Sequence, residues 1–216
     1  MKKAQVLERI RSTGLVPVIR ARSADEASTA VEAIQAGGVG VLEITMTVPG
    51  AVELIAEVAR RAPHALVGAG TVLDPQTALR CIEAGAQFVV SPALNLETVA
   101  ACREAGVAVI PGALSPTEVV TAWNAGADLV KIFPAGAVGG ASYIKALKAP
   151  LPQIALIPTG GVNLTTAADF IRAGADALGV GSDLVDLAAL RRGDAAALTE
   201  RAQRFVEVVR EARRSP

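Results

Sequence analysis

One lysine interrupts the apolar run Asp128-Leu129-Val130-Lys131-Ile132-Phe133-Pro134. In an extended strand Leu129, Lys131 and Phe133 share one face, and Val130 and Ile132 share the other. A buried ammonium must find a partner or give up its proton, and an amine that gives it up attacks carbonyl carbon. The plainer alternative is a packed stem with the charged head reaching water. A second conspicuous group is Glu43, in Val41-Leu42-Glu43-Ile44-Thr45, where Val41, Glu43 and Thr45 share a face. A carboxylate among aliphatic strand residues needs a cation, and Lys131 and Arg20 are the candidates. An acid beside such an amine suits proton shuttling; the alternative is a structural ion pair. A third feature is the glycine pair in Thr159-Gly160-Gly161, matched by Gly181-Ser182. Such turns present backbone N–H groups to anions, or simply turn the chain.

These residues fall at the ends of repeated units. Strand-like runs cover Leu15–Arg20, Val39–Thr45, Ala65–Gly70, Ala86–Ser91, Ala108–Pro111, Ala127–Phe133, Ile154–Pro158 and Ala177–Gly181. Helical patterns alternate with them at Ala24–Ala36, Ala51–Arg61, Pro75–Ala84, Leu96–Ala105, Pro116–Ala125, Ser142–Leu147 and Leu164–Ala173. A short helix is expected at Leu184–Ala189 and a long final one at about Asp194–Arg213. Ser23 and Asp74 read as helix caps, and Asn163 as a cap for the helix after strand seven. Five helices end in Ala-Gly, at Gly37, Gly85, Gly106, Gly126 and Gly174. Apolar strands without strict alternation imply a sheet covered on both faces, hence parallel. Eight such units predict a single (β/α)8 TIM barrel over residues 1–216, with an extra N-terminal helix. An open doubly wound sheet is the second choice, but Gly68-Ala69-Gly70-Thr71 matches a dinucleotide motif only in part.

In such a barrel the strand C-termini form the site. Read that way, Arg20, Glu43, Thr45, Thr71, Ser91-Pro92, Lys131, Thr159 and Ser182 converge on one mouth. A phosphate held at the glycine turns, beside an amine and an acid, implies a small phosphorylated carbonyl substrate.

Composition narrows the classes. Of 216 residues 51% are hydrophobic and 19% charged, with 21 basic and 21 acidic side chains. This balance argues against a nucleic-acid or membrane-surface partner. No apolar run approaches a membrane span, residues 1–12 read as a charged amphipathic helix, and the cytoplasm is the expected compartment. Cys81, Cys102 and the single histidine, His64, lack metal-ligand spacing. The cysteines are expected to be buried thiols and His64 a surface residue. No metal and no cofactor are expected. Trp123 and Tyr143 are expected to pack.

The sequence resembles the 2-keto-3-deoxy-6-phosphogluconate aldolases, a family of Schiff-base aldolases that includes 4-hydroxy-2-oxoglutarate aldolases. The resemblance runs from Val16-Pro17-Val18-Ile19 to Gly179-Val180-Gly181-Ser182. It is carried by Leu42-Glu43-Ile44-Thr45, Val67-Gly68-Ala69-Gly70-Thr71-Val72-Leu73, Gly85-Ala86-Gln87-Phe88, Ser91-Pro92, Ile110-Pro111-Gly112, Lys131-Ile132-Phe133-Pro134-Ala135 and Pro158-Thr159-Gly160-Gly161-Val162. The resemblance implies a homotrimer of barrels, Lys131 as imine-forming lysine and Glu43 as acid/base. It places Thr71, Pro92 and Phe133 on pyruvate, and Thr159, Gly160, Gly161, Gly181 and Ser182 on the distal phosphate end. Many members carry an arginine four residues after the glutamate, where this chain has Thr47. Arg20 is expected to supply the carboxylate clamp instead, since a bidentate clamp needs arginine. Gluconate-series, galactonate-series and hydroxy-oxoglutarate substrates all fit this reading. The rivals are a phosphate-binding barrel isomerase and a non-catalytic sugar-phosphate binder.

Overall fold

The structure, a computed structural model, describes residues 1–214 of the chain. It is a closed, all-parallel barrel. After α1 (Lys3–Thr13) come β1 (Leu15–Ile19), α2 (Ala24–Ala36), β2 (Val41–Thr45), α3 (Ala51–Arg61) and β3 (Leu66–Gly70). Then follow α4 (Pro75–Glu83), β4 (Phe88–Val90), α5 (Leu96–Glu104), β5 (Ala108–Ile110), β6 (Gly112–Ala113) and α6 (Pro116–Asn124). The last third holds β7 (Val130–Ile132), α7 (Ala141–Lys148), β8 (Leu156–Pro158), α8 (Ala167–Arg172), β9 (Leu178–Val180), α9 (Leu187–Arg191) and α10 (Ala195–Arg214).

One sheet runs β5-β4-β3-β2-β1-β9 and the other β6-β7-β8. Two links close them into one barrel. Only Pro111 separates β5 from β6, and Thr159 bridges to Gly179 of β9. The expected fifth strand is therefore longer than the sequence pattern indicated and is split at Pro111, which has no N–H to donate. Its carbonyl still accepts from the Lys131 N–H and keeps the ladder continuous.

Strand alternation sorts the apolar residues into two layers. Val16, Val41, Leu66, Phe88, Val90, Ile110, Leu129 and Ile157 fill the barrel, together with Val6 and Ile10 of α1. The other set packs the barrel wall against the helices. The N-terminal helix thus closes the barrel floor, held there by the Lys3–Asp128 ion pair at 2.9 Å. A barrel this short accommodates the Phe88 ring because residue 68 is glycine: a Cβ there would lie 2.4 Å from the ring.

Local signals set most helix boundaries. Ser23 accepts from Glu26 N–H, and Asp74 accepts from Thr77 N–H with Pro75 at the first helical position. Two expectations need correction. The helix expected from Leu164 starts at Ala167, because Asn163 Oδ1 accepts from the N–H groups of Thr165 and Thr166 and folds that stretch into a turn. Asn163 therefore does not cap the helix itself. The helix expected at Leu184–Ala189 starts at Leu187, since Asp186 accepts from Ala188 and Ala189 N–H and caps it.

Trp123 and Tyr143 both pack against the outer layer, as expected. The Tyr143 hydroxyl donates to the Leu114 carbonyl. His64 is exposed, and its carbonyl accepts from Arg9. No described helix is long and apolar enough to cross a membrane.

Candidate active site

The C-terminal ends of the strands meet at the end of the barrel opposite α1. Lys131 is registered with Gly112 on one side and Ile157 on the other, and Glu43 with Val18 and Gly68. Both side chains point into the barrel and are almost fully buried, at 4% and 2% exposure. Lys131 Nζ lies 3.8 Å from Glu43 Oε1, an ion-pair separation beyond hydrogen-bond length. Glu43 Oε1 has no hydrogen-bond partner among the described residues. A buried carboxylate oxygen with no protein partner keeps its acceptor capacity for a water or a substrate. Phe133, the residue after β7, faces the lysine, with Lys131 Nζ 5.6 Å from its ring centroid.

Glycine makes this arrangement possible. A Cβ on Gly70 would lie 2.0 Å from Glu43 Oε1, so the bare backbone of β3 is what admits the carboxylate. Gly179 does the same for Thr159: a Cβ there would lie 2.1 Å from its hydroxyl. Thr159 Oγ1 is buried and likewise unpartnered. Gly70→Ala is expected to expel Glu43 from its seat. It should destabilise the fold by about 1–3 kcal/mol through overpacking and lower kcat more than it raises KM. Denaturation curves and steady-state kinetics measure both, and an unaltered kcat would show that Glu43 does not depend on that space.

Above this floor lies a cavity of about 100 Å³ lined by Arg20, Phe133, Thr159, Gly160, Gly161, Val162, Gly181, Ser182 and Asp183. Seven of these nine residues were read from the sequence as site residues. Arg20 is exposed at the rim, and its Nη1 would lie 3.7 Å from a Cβ on Gly181. The arginine therefore stands with the glycine turns. The turn at Gly181 is closed by Leu184 and Val185 N–H donating to the Gly181 carbonyl. The expected helix N-terminus beside Ser182 is absent from this position, because Asp186 already occupies the start of α9. The cavity is therefore lined by the glycine turns and Arg20, while the start of α9 lines a neighbouring pocket of about 260 Å³ that shares Arg20 and Ser182.

Thr71 and Pro92 lie at the ends of β3 and β4, both half-buried, and are not in the lining of that cavity. Thr71 is the only described non-glycine residue in the left-handed region, at φ 58°. For a β-branched residue this conformation is strained, as is common at functional sites. Asp183 and Val162 were missed by the sequence reading. Asp183 gives no signal of its own beyond following Ser182, and its carbonyl accepts from Arg201.

The cysteines stand apart from the site. Both are buried and free, and burial pushes each thiol up to about 11, which keeps them protonated and unreactive.

This mouth, with a buried amine–acid pair beneath an anion-sized cavity, has counterparts among known proteins. Residues 6–201 match the family described as KDPG and KHG aldolase. The Escherichia coli (strain K12) KHG/KDPG aldolase is 38% identical over 201 residues, which is 93% of this chain and 94% of that one. A KDPGal structure is 35% identical, with a TM-score of 0.83 over 93% of this chain and 96% of its own. A Legionella pneumophila KDPG aldolase, solved with pyruvate captured as a covalent carbinolamine, is 30% identical, with a TM-score of 0.86 over 92% and 97%. With a family match spanning most of its length and a relative at this identity along nearly the whole of both chains, the protein belongs to the KDPG and KHG aldolase family.

Proposed function

We propose that this chain is a class I pyruvate aldolase that cleaves 2-keto-3-deoxy-6-phosphogluconate to pyruvate and glyceraldehyde 3-phosphate, using Lys131 as the imine-forming residue and Glu43 as acid/base. The observation that carries this reading is the buried Lys131–Glu43 pair, 3.8 Å apart at the catalytic end of the barrel. The Lys131 amine attacks the ketone carbon, and Glu43 moves protons while water is lost. The resulting iminium draws electrons as the bond between carbons three and four breaks. Glu43, through a water, takes the proton from the fourth-carbon hydroxyl. The aldehyde leaves, and the enamine is protonated and hydrolysed to pyruvate.

Thr71, Pro92 and Phe133 are assigned to the pyruvate moiety. Thr159, Gly160, Gly161, Gly181 and Ser182 are assigned to the distal end and its phosphate, and all five line one small cavity. The same site suits the galactonate epimer and 4-hydroxy-2-oxoglutarate, whose cleavage gives pyruvate and glyoxylate. Pyruvate release from each of the three compounds, followed with a coupled dehydrogenase, tests the assignment. Release from none of them would overturn it in favour of an isomerase or a binding protein.

Arg20 is assigned to an anionic group of the substrate. The Thr47 position leaves the carboxylate without its usual arginine, which favours a carboxylate clamp. The shared lining with Gly160, Gly161, Gly181 and Ser182 favours the phosphate. Arg20→Ala separates the two. A charge-assisted bidentate contact is worth roughly 2 kcal/mol, about 30-fold in affinity. A loss of this size for pyruvate itself assigns the carboxylate. A loss confined to the phosphorylated substrate assigns the phosphate, and no loss for either removes Arg20 from the site.

The family resemblance also points to a homotrimer. Leu73 and Leu96 are exposed at 60% and 54%, and the Asn95 side chain donates to the Leu73 carbonyl between them. Leu79 is exposed as well, and all three leucines belong to α4, α5 or the turn before α4, which makes that side of the barrel the candidate subunit contact. Sedimentation velocity should give three times 22.0 kDa, and a monomer would dismiss that side as an interface. The cytoplasm is proposed as its place. Activity recovered in a washed membrane fraction would refute that.

A further inference from the structure

Arg20 makes no side-chain hydrogen bond or ion pair among the described residues, so the fixed point nearest its guanidinium is the backbone at its root. The backbone leading into it is held in an unusual way. The β1–β2 ladder is registered at Val18 with Glu43 and at Ile19 with Ile44. Where that ladder ends, a pair of hydroxyls takes over. Thr45 Oγ1 donates to the Ile19 carbonyl at 2.9 Å and lies 2.6 Å from Thr47 Oγ1. A carbonyl only accepts, and a hydroxyl has one proton. Thr45 commits its proton to Ile19, so in the short contact Thr47 must be the donor. The direction is fixed: Thr47 to Thr45 to the Ile19 carbonyl, which belongs to the peptide joining Ile19 to Arg20.

Thr45 is fully buried and Thr47 is exposed at the rim. Thr47 thus turns its proton inward and presents only lone pairs outward. It cannot hold an anion itself while that bond is made. We propose that Thr45 and Thr47 are positioning residues, a two-hydroxyl relay that fixes the Ile19–Arg20 peptide and aims the Arg20 guanidinium into the anion cavity. The proposal rests on the reading of Arg20 as an anion-holding residue, and it holds whether that anion is the carboxylate or the phosphate. It makes the end of β2 a determinant of substrate affinity without direct contact to substrate.

The test is steady-state cleavage of the phosphorylated keto acid by Thr47→Val, Thr45→Val and Thr45→Ser, each alone and combined with Arg20→Ala. Thr47→Val keeps the side-chain shape at an exposed site, so its folding is secure even if the buried Thr45→Val variant is damaged. Losing one bond of the relay should raise KM about fivefold with kcat within about twofold. Thr45→Ser retains the hydroxyl and should restore KM to near wild type. In the Arg20→Ala background Thr47→Val should have no further effect on KM. An equal rise in KM in both backgrounds would overturn the relay while leaving Arg20 in place, as would a loss confined to kcat. An Arg20→Ala variant with unaltered KM for both substrate and pyruvate would overturn the reading of Arg20, and the relay with it.

Discussion

Treated with pyruvate and sodium borohydride, the wild-type protein is expected to gain a pyruvate-sized adduct in its intact mass, and Lys131→Ala is expected to gain none. The same substitution should lower kcat by roughly 10⁴-fold or more, the scale seen when a covalent nucleophile is removed. The expectation follows from position. Lys131 is buried in the barrel, faces Glu43 at 3.8 Å and lies under the Phe133 ring. Other lysines, such as Lys3 and Lys148, are tied to aspartates or carbonyls away from the mouth. An adduct that persists in Lys131→Ala would place the imine on one of them. An inactive variant that still binds substrate, beside a wild type that never forms an adduct, would demote the protein to a binder.

Glu43→Gln should be nearly as damaging to turnover, lowering kcat by about 10²- to 10⁴-fold. Gln keeps the volume that Gly70 leaves open but cannot exchange a proton. Glu43→Ala is a poorer probe, because it leaves the Lys131 charge buried without its partner and is expected to destabilise the fold as well. A purely structural ion pair makes the opposite prediction. In that case Glu43→Gln would lower thermal stability and leave kcat within a few-fold. The comparison of melting temperature with kcat in one variant therefore decides between the two roles.

The βα alternation and the Ala-Gly helix exits carried the architecture in the sequence, and four of those five glycines do take positive φ, from 69° at Gly106 to 105° at Gly85, while at the first exit Gly37 keeps φ −79° and Gly38 makes the left-handed turn at 87°. The inward faces of β2 and β7 were equally legible, because an isolated charge in an aliphatic strand can only be a liability or a tool. What strand periodicity could not convey was the lateral arrangement around the rim. Arg20 lies past the end of β1, where alternation no longer dictates direction, and it stands with the glycine turns of the last two strands, which barrel closure brings beside β1. The start of α9 was misplaced because Asp186, not the glycine turn, supplies the cap, and side-chain capping outweighs apolar pattern in so short a helix. Pro111 concealed the extension of the fifth strand, since a residue without an N–H reads as a strand end. The space under Glu43 was invisible for a different reason: a glycine in a strand announces room, but not whose side chain will fill it.

The placement of α1 has a kinetic meaning. With Val6 and Ile10 stoppering the floor, molecules enter and leave the barrel by a single door. On the proposed assignment the carbon that bonds to Lys131 would sit deepest, with the phosphorylated half at the glycine turns between it and the exit. Pyruvate is thus the inner passenger: in cleavage the aldehyde departs ahead of it, and in condensation pyruvate must board first. In that reading the order set by imine chemistry and the order set by a barrel with one open end are the same.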